Sequence, residues 1–166
     1  IFNVNKSYLE DENIRISHPT GFDYNSHLDE TMYTSVEDLE SALGRTFKTQ
    51  DRFILAYSMD ISSDTSNRLQ ATKQNTIASN NNSREVNVSL NLNTIDQDNL
   101  LVCVLREGQL LTLEYTIEET IAEFTCLDTD YIILLENTPA RWISVLIWVS
   151  VILAIGSLLT SLVIVS

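Results

Sequence analysis

The stretch WISVLIWVSVILAIGSLLTSLVIVS, residues 142–166, contains no charged side chain, and fifteen of its residues are Leu, Ile or Val. As an α-helix it would be about 37 Å long, which exceeds the roughly 30 Å of a bilayer's hydrocarbon core. Its aliphatic side chains favour membrane insertion by roughly 6 kcal/mol. The alternative is a helix buried in a soluble core, but the rest of the chain is too small to surround a helix that is apolar on every side. The stretch therefore predicts a single C-terminal transmembrane helix at 142–166.

Small side chains recur along one side of this predicted helix, with a second group on an adjoining strip. They are Ser150, Ala154, Ser157 and Ser161, with Gly156 and Thr160 on the strip beside them. Small residues let membrane helices approach closely. The alternative is that small residues are common in spans and that their hydroxyls bond to the preceding turn. We expect a packing face against a polytopic membrane partner, with Trp142 as an interface anchor and Trp148 as a deeper contact.

The charge of the chain indicates which side of the membrane the soluble part occupies. The sequence holds 23 acidic and 10 basic residues, a net charge of −13, and all of them precede residue 142. Such a surface argues against binding to nucleic acid or to anionic cytosolic lipids. Just before the predicted span the chain carries three acidic residues, Asp128, Asp130 and Glu136, but only one basic residue, Arg141. A flank with so few positive charges is unusual on the cytosolic side under the positive-inside rule. We therefore expect the soluble part to lie outside the cytosol.

Sequons and cysteines favour the same side. Asn5, Asn81 and Asn87 each begin an Asn-x-Ser sequence, although an Asn-rich chain also produces such sequences by chance. The two cysteines, Cys103 and Cys126, are an even number in a small domain, and we expect a disulfide between them. The alternative is two buried free thiols. Together these features predict a type I single-pass protein with a lumenal or extracellular domain that carries glycans.

The residues before the span predict a mostly β domain with one short helix. Ser35 can cap a helix that starts at Val36, and Gly44 can end it. Strands are predicted at 53–61, 86–92, 100–105, 110–117, 121–127 and 131–135, with a hairpin turn at 106–109. We expect only short edge strands and loops in the first thirty residues, with a turn at 19–21.

Six or so short strands and one helix predict a small antiparallel β-sandwich-like domain at 1–136. Residues 62–85 are rich in Ser, Thr and Asn and predict a flexible polar loop. A short linker, 137–141, would then lead to the span, so we expect the domain to lie close to the membrane.

No recognised catalytic motif, phosphate loop or metal-ligand spacing occurs in the sequence, and we expect neither a cofactor nor an enzyme. His18 and His27 lie near several carboxylates, so a metal or acid–base role is the alternative, but they lack ligand spacing and we interpret them as part of a solvated loop. The sequence favours a non-catalytic accessory subunit of a larger membrane complex. The endoplasmic reticulum membrane is the most natural setting, with a polytopic glycosyltransferase, a GPI-assembly enzyme or insertion machinery as the partner. The alternative is an adhesion or receptor ectodomain at the cell surface.

Overall fold

The computed structural model describes residues 5–63, 83–137 and 141–164, and in the last range it describes the side chains of 145–157. Contacts between residues divide the chain into two compact units, 1–136 and 137–166. The second unit contains the helix α2 (Arg141–Ile164). In the described part of the first unit, the elements are, in chain order, β1 (Lys6–Glu10), β2 (Ile14–Phe22), β3 (Ser26–Tyr33), α1 (Val36–Leu43), β4 (Arg52–Ser63), β5 (Glu85–Asn91), β6 (Leu100–Arg106), β7 (Gln109–Thr112), β8 (Thr116–Glu118), β9 (Ile121–Leu127) and β10 (Tyr131–Glu136).

The ten strands form two antiparallel sheets of five strands within the described residues. Sheet I has the order β1-β2-β5-β9-β8, and sheet II has the order β3-β4-β10-β6-β7. Ile16 and Val88 of sheet I share one buried cluster with Tyr57 and Ile132 of sheet II. The two sheets therefore face each other across a common core, as the layers of a sandwich do. The prediction of a mostly β domain with one short helix is confirmed.

The central strands of sheet II, β6 and β10, are buried on both faces, because a second cluster covers part of the face that points away from sheet I. Leu39 of α1 and Phe47, from the segment after it, pack there against Ile133 of β10 and Cys103 of β6. Strands covered on both sides read as continuous apolar runs. This explains why β6 and β10 lack the alternation of β5, whose Asn87 faces solvent while Val86 and Val88 are buried.

The cap and turn residues act as predicted. The Ser35 hydroxyl accepts a hydrogen bond from the Asp38 amide at 3.1 Å, and Gly44 ends α1 with a φ of 65°. Between β6 and β7, Glu107 and Gly108 have φ angles of 49° and 90°. Two consecutive residues with positive φ make a tight turn whose twist matches that of the flanking strands.

The predicted strand at 110–117 is wrong in one respect, because the chain changes sheets within it. Residues up to Thr112 pair with β6 in sheet II, whereas Thr116 onward pairs with β9 in sheet I. The crossing segment is held by a bond from the Leu113 amide to the Val102 carbonyl at 2.9 Å and by the Tyr115 hydroxyl, which donates to the Leu100 carbonyl. An alternating pattern continues through such a crossing because both sheets face the same core.

The N-terminal thirty residues form longer strands than we expected. The strand β2 runs from Ile14 to Phe22 and contains the predicted turn at 19–21. There the register with β1 shifts between Lys6 and Tyr8, so the extra residues bulge out of the strand. Gly21 lies in this bulge with a φ of 69°, and a Cβ there would meet the Lys6 carbonyl oxygen at 2.7 Å.

Glu30 of β3 links the two sheets through the turn between β1 and β2. Its carboxylate accepts hydrogen bonds from the backbone amides of Asn13 and Ile14, at 3.0 and 2.9 Å, and from the Asn13 side-chain amide at 2.6 Å. The Glu30 amide in turn donates to the Asp11 carboxylate at 2.9 Å. One side chain from sheet II therefore satisfies the donors of a turn in sheet I.

Candidate functional site

The apolar helix α2 is the first candidate site. The side chains of residues 145–157 are all exposed, including Trp148 at 68%, Leu153 at 68% and Ile152 at 65%. Monomeric soluble proteins rarely expose a contiguous apolar surface of this kind, which usually marks an interaction site. Within the described residues, no helix reaches both the length and the hydropathy that a membrane span requires. The predicted span at 142–166 therefore stays a prediction.

Part of the predicted packing face falls among residues 145–157, whose side chains the structure describes. The helical geometry places Ser150, Ala154 and Ser157 along one side of α2. The Ser150 hydroxyl donates to the Leu146 carbonyl at 2.7 Å, and the Ser157 hydroxyl donates to the Ala154 carbonyl at 2.8 Å. Both hydroxyls thus bond to the preceding turn, which leaves a surface of small side chains. The side chains of Thr160, Ser161 and Trp142 lie outside the described residues.

Two of the three predicted glycosylation sites can be located. Asn5 is exposed beside β1, and its side-chain amide is 3.4 Å from the Thr20 carbonyl. Asn87 is exposed on the outer face of β5, where its side-chain oxygen accepts a hydrogen bond from the Thr125 hydroxyl at 3.1 Å. Asn81 lies outside the described residues, as do residues 64–82 of the predicted polar loop, whereas the ends of that loop, 62–63 and 85, belong to β4 and β5. The outward direction of Asn87 follows from the alternation of β5.

The predicted disulfide does not form, because Cys103 and Cys126 are both free thiols in the structure. Cys126 of β9 lies in the core between the sheets, whereas Cys103 of β6 lies in the cluster on the opposite face of sheet II. The strand β6 therefore separates the two sulfur atoms. Burial raises the pKa of Cys103, and burial with the nearby Asp130 charge raises the pKa of Cys126 to about 12. Both thiols are consequently protonated at neutral pH and act as small core residues.

A serine, a histidine and an aspartate meet on the β3–β4 pair. His27 Nε2 lies 2.6 Å from Ser62 Oγ and 3.4 Å from an Asp29 carboxylate oxygen, and Ser62 Oγ lies 3.2 Å from that same oxygen. In a hydrolase triad the carboxylate binds the other ring nitrogen and so orients the histidine for proton transfer. Here Asp29 instead approaches the same nitrogen as the serine. The group can stabilise the strand pair, but it does not have the relay geometry.

Sequence reasoning named His27 but missed its partner Ser62, because only the strand register places the two residues opposite each other. The predicted loop is wrong for both histidines, because His18 lies in β2 and His27 in β3. His18 bonds locally, with Nδ1 at 2.8 Å from the Thr20 hydroxyl. Within the described residues, no group of three or more metal-binding side chains converges.

A buried ion pair holds the turn between β9 and β10, and it was also missed. Arg106 donates to both carboxylate oxygens of Asp130, at 3.0 and 2.6 Å, and the Leu127 amide donates to the second oxygen at 2.9 Å. The side chain of Asp130 is only 1% exposed. All three acidic residues counted before the predicted span are paired within the domain: Asp130 with Arg106, Asp128 with Arg84 at 3.5 Å and Glu136 with Arg52 at 2.8 Å.

An open cleft of about 500 Å³ lies between β1 and β3, the edge strands of the two sheets. Tyr24 and His27 line it, and Lys6 reaches across with its ammonium 2.7 Å from the Ser26 carbonyl and 5.7 Å from the centre of the Tyr24 ring. The lysine is therefore engaged in holding the sandwich edge together.

The chain matches no protein-family model, no curated protein and no solved structure.

Proposed function

We propose that this protein is a non-catalytic, type I single-pass subunit that stabilises, positions or assists a larger membrane protein. The observation that carries the proposal is α2, whose exposed side chains at 145–157 are apolar apart from Ser150 and Ser157. No charged residue follows Arg141 in the sequence. Such a helix requires a lipid or protein environment, and a bilayer offers both.

The side that carries Ser150, Ala154 and Ser157 is the proposed contact with a polytopic partner. Because the two hydroxyls are already bonded to backbone carbonyls, they need no water and leave a shallow surface for a neighbouring helix. The large aliphatic side chains on the other side of α2, such as Val151 and Ile155, would face lipid.

The β domain is proposed to lie on the lumenal side of the endoplasmic reticulum membrane. Its acidic composition and the exposed sequon at Asn87 support this side. The partner is proposed to be a polytopic glycosyltransferase, a GPI-assembly enzyme or insertion machinery. This partner class rests on analogy with membrane complexes of similar organisation rather than on any residue of the domain.

The experiment is native purification of the tagged full chain in mild detergent, followed by identification of the membrane proteins that accompany it. Ala154→Leu combined with Ser157→Leu should release the partner, whereas Ile155→Phe, which adds bulk on the side of the helix away from both groups of small residues, should retain it. Unchanged co-purification of all variants would contradict the proposed face. Protection of the β domain from protease added to sealed microsomes tests its side, and cleavage by that protease would contradict a lumenal position.

A cell-surface adhesion or receptor ectodomain is the second candidate. Two antiparallel sheets packed over one core are an architecture that many cell-surface domains share. Labelling of intact cells with a membrane-impermeant reagent separates the two proposals, because only a surface protein would be modified.

A further inference from the structure

Four side chains form a row across the outer face of sheet I at the level of Asn87. In the strand register Tyr8 pairs with Ser17, Ser17 with Asn87, and Asn87 with Thr125. The residues next to them along their strands include core residues on every strand. Since successive side chains of a strand point to opposite faces, all four point outward.

The surroundings of Asn87 leave room for a large substituent on its amide nitrogen. The two residues beside it in the row, Ser17 and Thr125, are small. The Thr125 hydroxyl donates to the Asn87 side-chain oxygen at 3.1 Å, which fixes the orientation of the amide. Ser89, the hydroxyl residue of the sequon, lies two residues further along β5 and points to the same face.

Tyr8 ends the row as a fixed aromatic surface. It lies two strands from Asn87, about 10 Å away at roughly 4.8 Å per strand, which is comparable to the length of a disaccharide. The Arg15 guanidinium lies 4.6 Å from the centre of the Tyr8 ring, and Glu10 holds that guanidinium at 2.7 Å. Tyr8 is nevertheless 44% exposed, so part of it remains available for contact. Sugar rings have apolar C–H faces that pack on aromatic rings, and a ring already held in place loses little entropy on contact.

We propose that Asn87 carries an N-linked glycan whose first sugars lie over Ser17 and pack against Tyr8. The outer face of sheet I would then be covered by carbohydrate, and a protein partner would contact other surfaces of the domain. This inference rests on the lumenal position proposed above. The glycan would come from a lipid pyrophosphate-linked oligosaccharide. The Asn87 nitrogen forms a bond to the anomeric carbon and gives its proton to a base, while the bond from that carbon to the phosphate oxygen breaks and the lipid pyrophosphate leaves.

The test is a double-mutant cycle on the full chain, made once in a host that glycosylates secretory proteins and once in a host that does not. The variants are Asn87→Gln, Tyr8→Ala and the two combined, and the readout is the Tm in mild detergent. In the glycosylating host, Asn87→Gln should remove a glycosidase-sensitive gel shift and lower the Tm by about 3 °C, the size of a single aromatic contact. In the Tyr8→Ala background this loss of Tm should shrink to the loss that Asn87→Gln causes in the non-glycosylating host, where only the hydrogen bond from Thr125 is perturbed. Tyr24→Ala, which removes an exposed tyrosine outside the row, should leave the loss unchanged.

The cycle made in the non-glycosylating host should show no coupling between Asn87 and Tyr8, since the coupling requires the sugar. Equal coupling in both hosts would overturn the inference, and so would a glycosylated Asn87 whose effect on Tm is independent of Tyr8. A chain glycosylated at Asn5 but not at Asn87 would overturn this inference and leave the lumenal position standing. A chain with no glycan at any sequon would count against both.

Discussion

Replacement of Arg106 should destabilise the domain strongly, because it leaves the Asp130 carboxylate buried without its partner. Removing one partner of a buried ion pair costs about 3–5 kcal/mol. Since the Arg106 side chain is 37% exposed while that of Asp130 is 1% exposed, we expect the lower end, about 3 kcal/mol for Arg106→Ala. Asp130→Ala loses the same pair and the bond from the Leu127 amide, also about 3 kcal/mol. The double variant should lose about 4 kcal/mol, which gives a coupling of about 2 kcal/mol.

The measurement is urea unfolding of the full chain in detergent, followed by far-ultraviolet circular dichroism, for the two single variants and the double variant. The pair Arg15–Glu10 provides a matched control, because its contact distance is 2.7 Å but its side chains are 55% and 50% exposed. The same cycle on that surface pair should give no measurable coupling. If the Arg106–Asp130 coupling were as small as that of the surface pair, the reasoning from burial would be refuted.

Three further predictions follow from the fold. Glu30→Ala should lower the free energy of unfolding by about 3 kcal/mol in the same urea assay, because it leaves the backbone amides of the β1–β2 turn without an acceptor. The control Glu123→Ala, at an exposed position of β9, should change the free energy of unfolding little. Burial raises the pKa of Cys126 from its ordinary 9.0 to about 12, so the folded protein retains a proton that the unfolded chain releases. Relative to Cys126→Ala, stability should therefore be constant below pH 9 and fall by about 1.4 kcal/mol per pH unit from there towards pH 12, and a flat difference curve would contradict this. Gly21→Ala should lower the Tm more than Gly44→Ala, because both positions have a positive φ but only Gly21 lies against backbone, and equal losses would show that the close approach is unimportant.

Local chemistry made several elements predictable. Ser35 and Gly44 bound α1 because capping depends on residues within one turn. The alternation of β5 was clear because one face of sheet I meets solvent. The turn at Glu107 and Gly108 could be predicted from the glycine, because few other residues accept a large positive φ.

Features that depend on how distant strands are arranged could not be predicted. The spacing of Cys103 and Cys126 does not reveal that they lie on opposite sides of sheet II. The crossing between β7 and β8 keeps its alternation while changing sheets, so the pattern cannot show where one strand ends. The pairing of Arg106 with Asp130 depends on the register between β6 and β10, which the sequence leaves open.

The position of β10 between β4 and β6 constrains how the domain can be made. Arg52 at the start of β4 bonds to Glu136 at the end of β10, 84 residues later in the chain. Until the ribosome has delivered this last strand, β4 and β6 have no neighbour on their inner edges and expose apolar edges that favour aggregation. The domain can therefore complete its folding only after Glu136, the last residue of β10, has been synthesised. A nascent chain interrupted before that point would remain open and recognisable to chaperones.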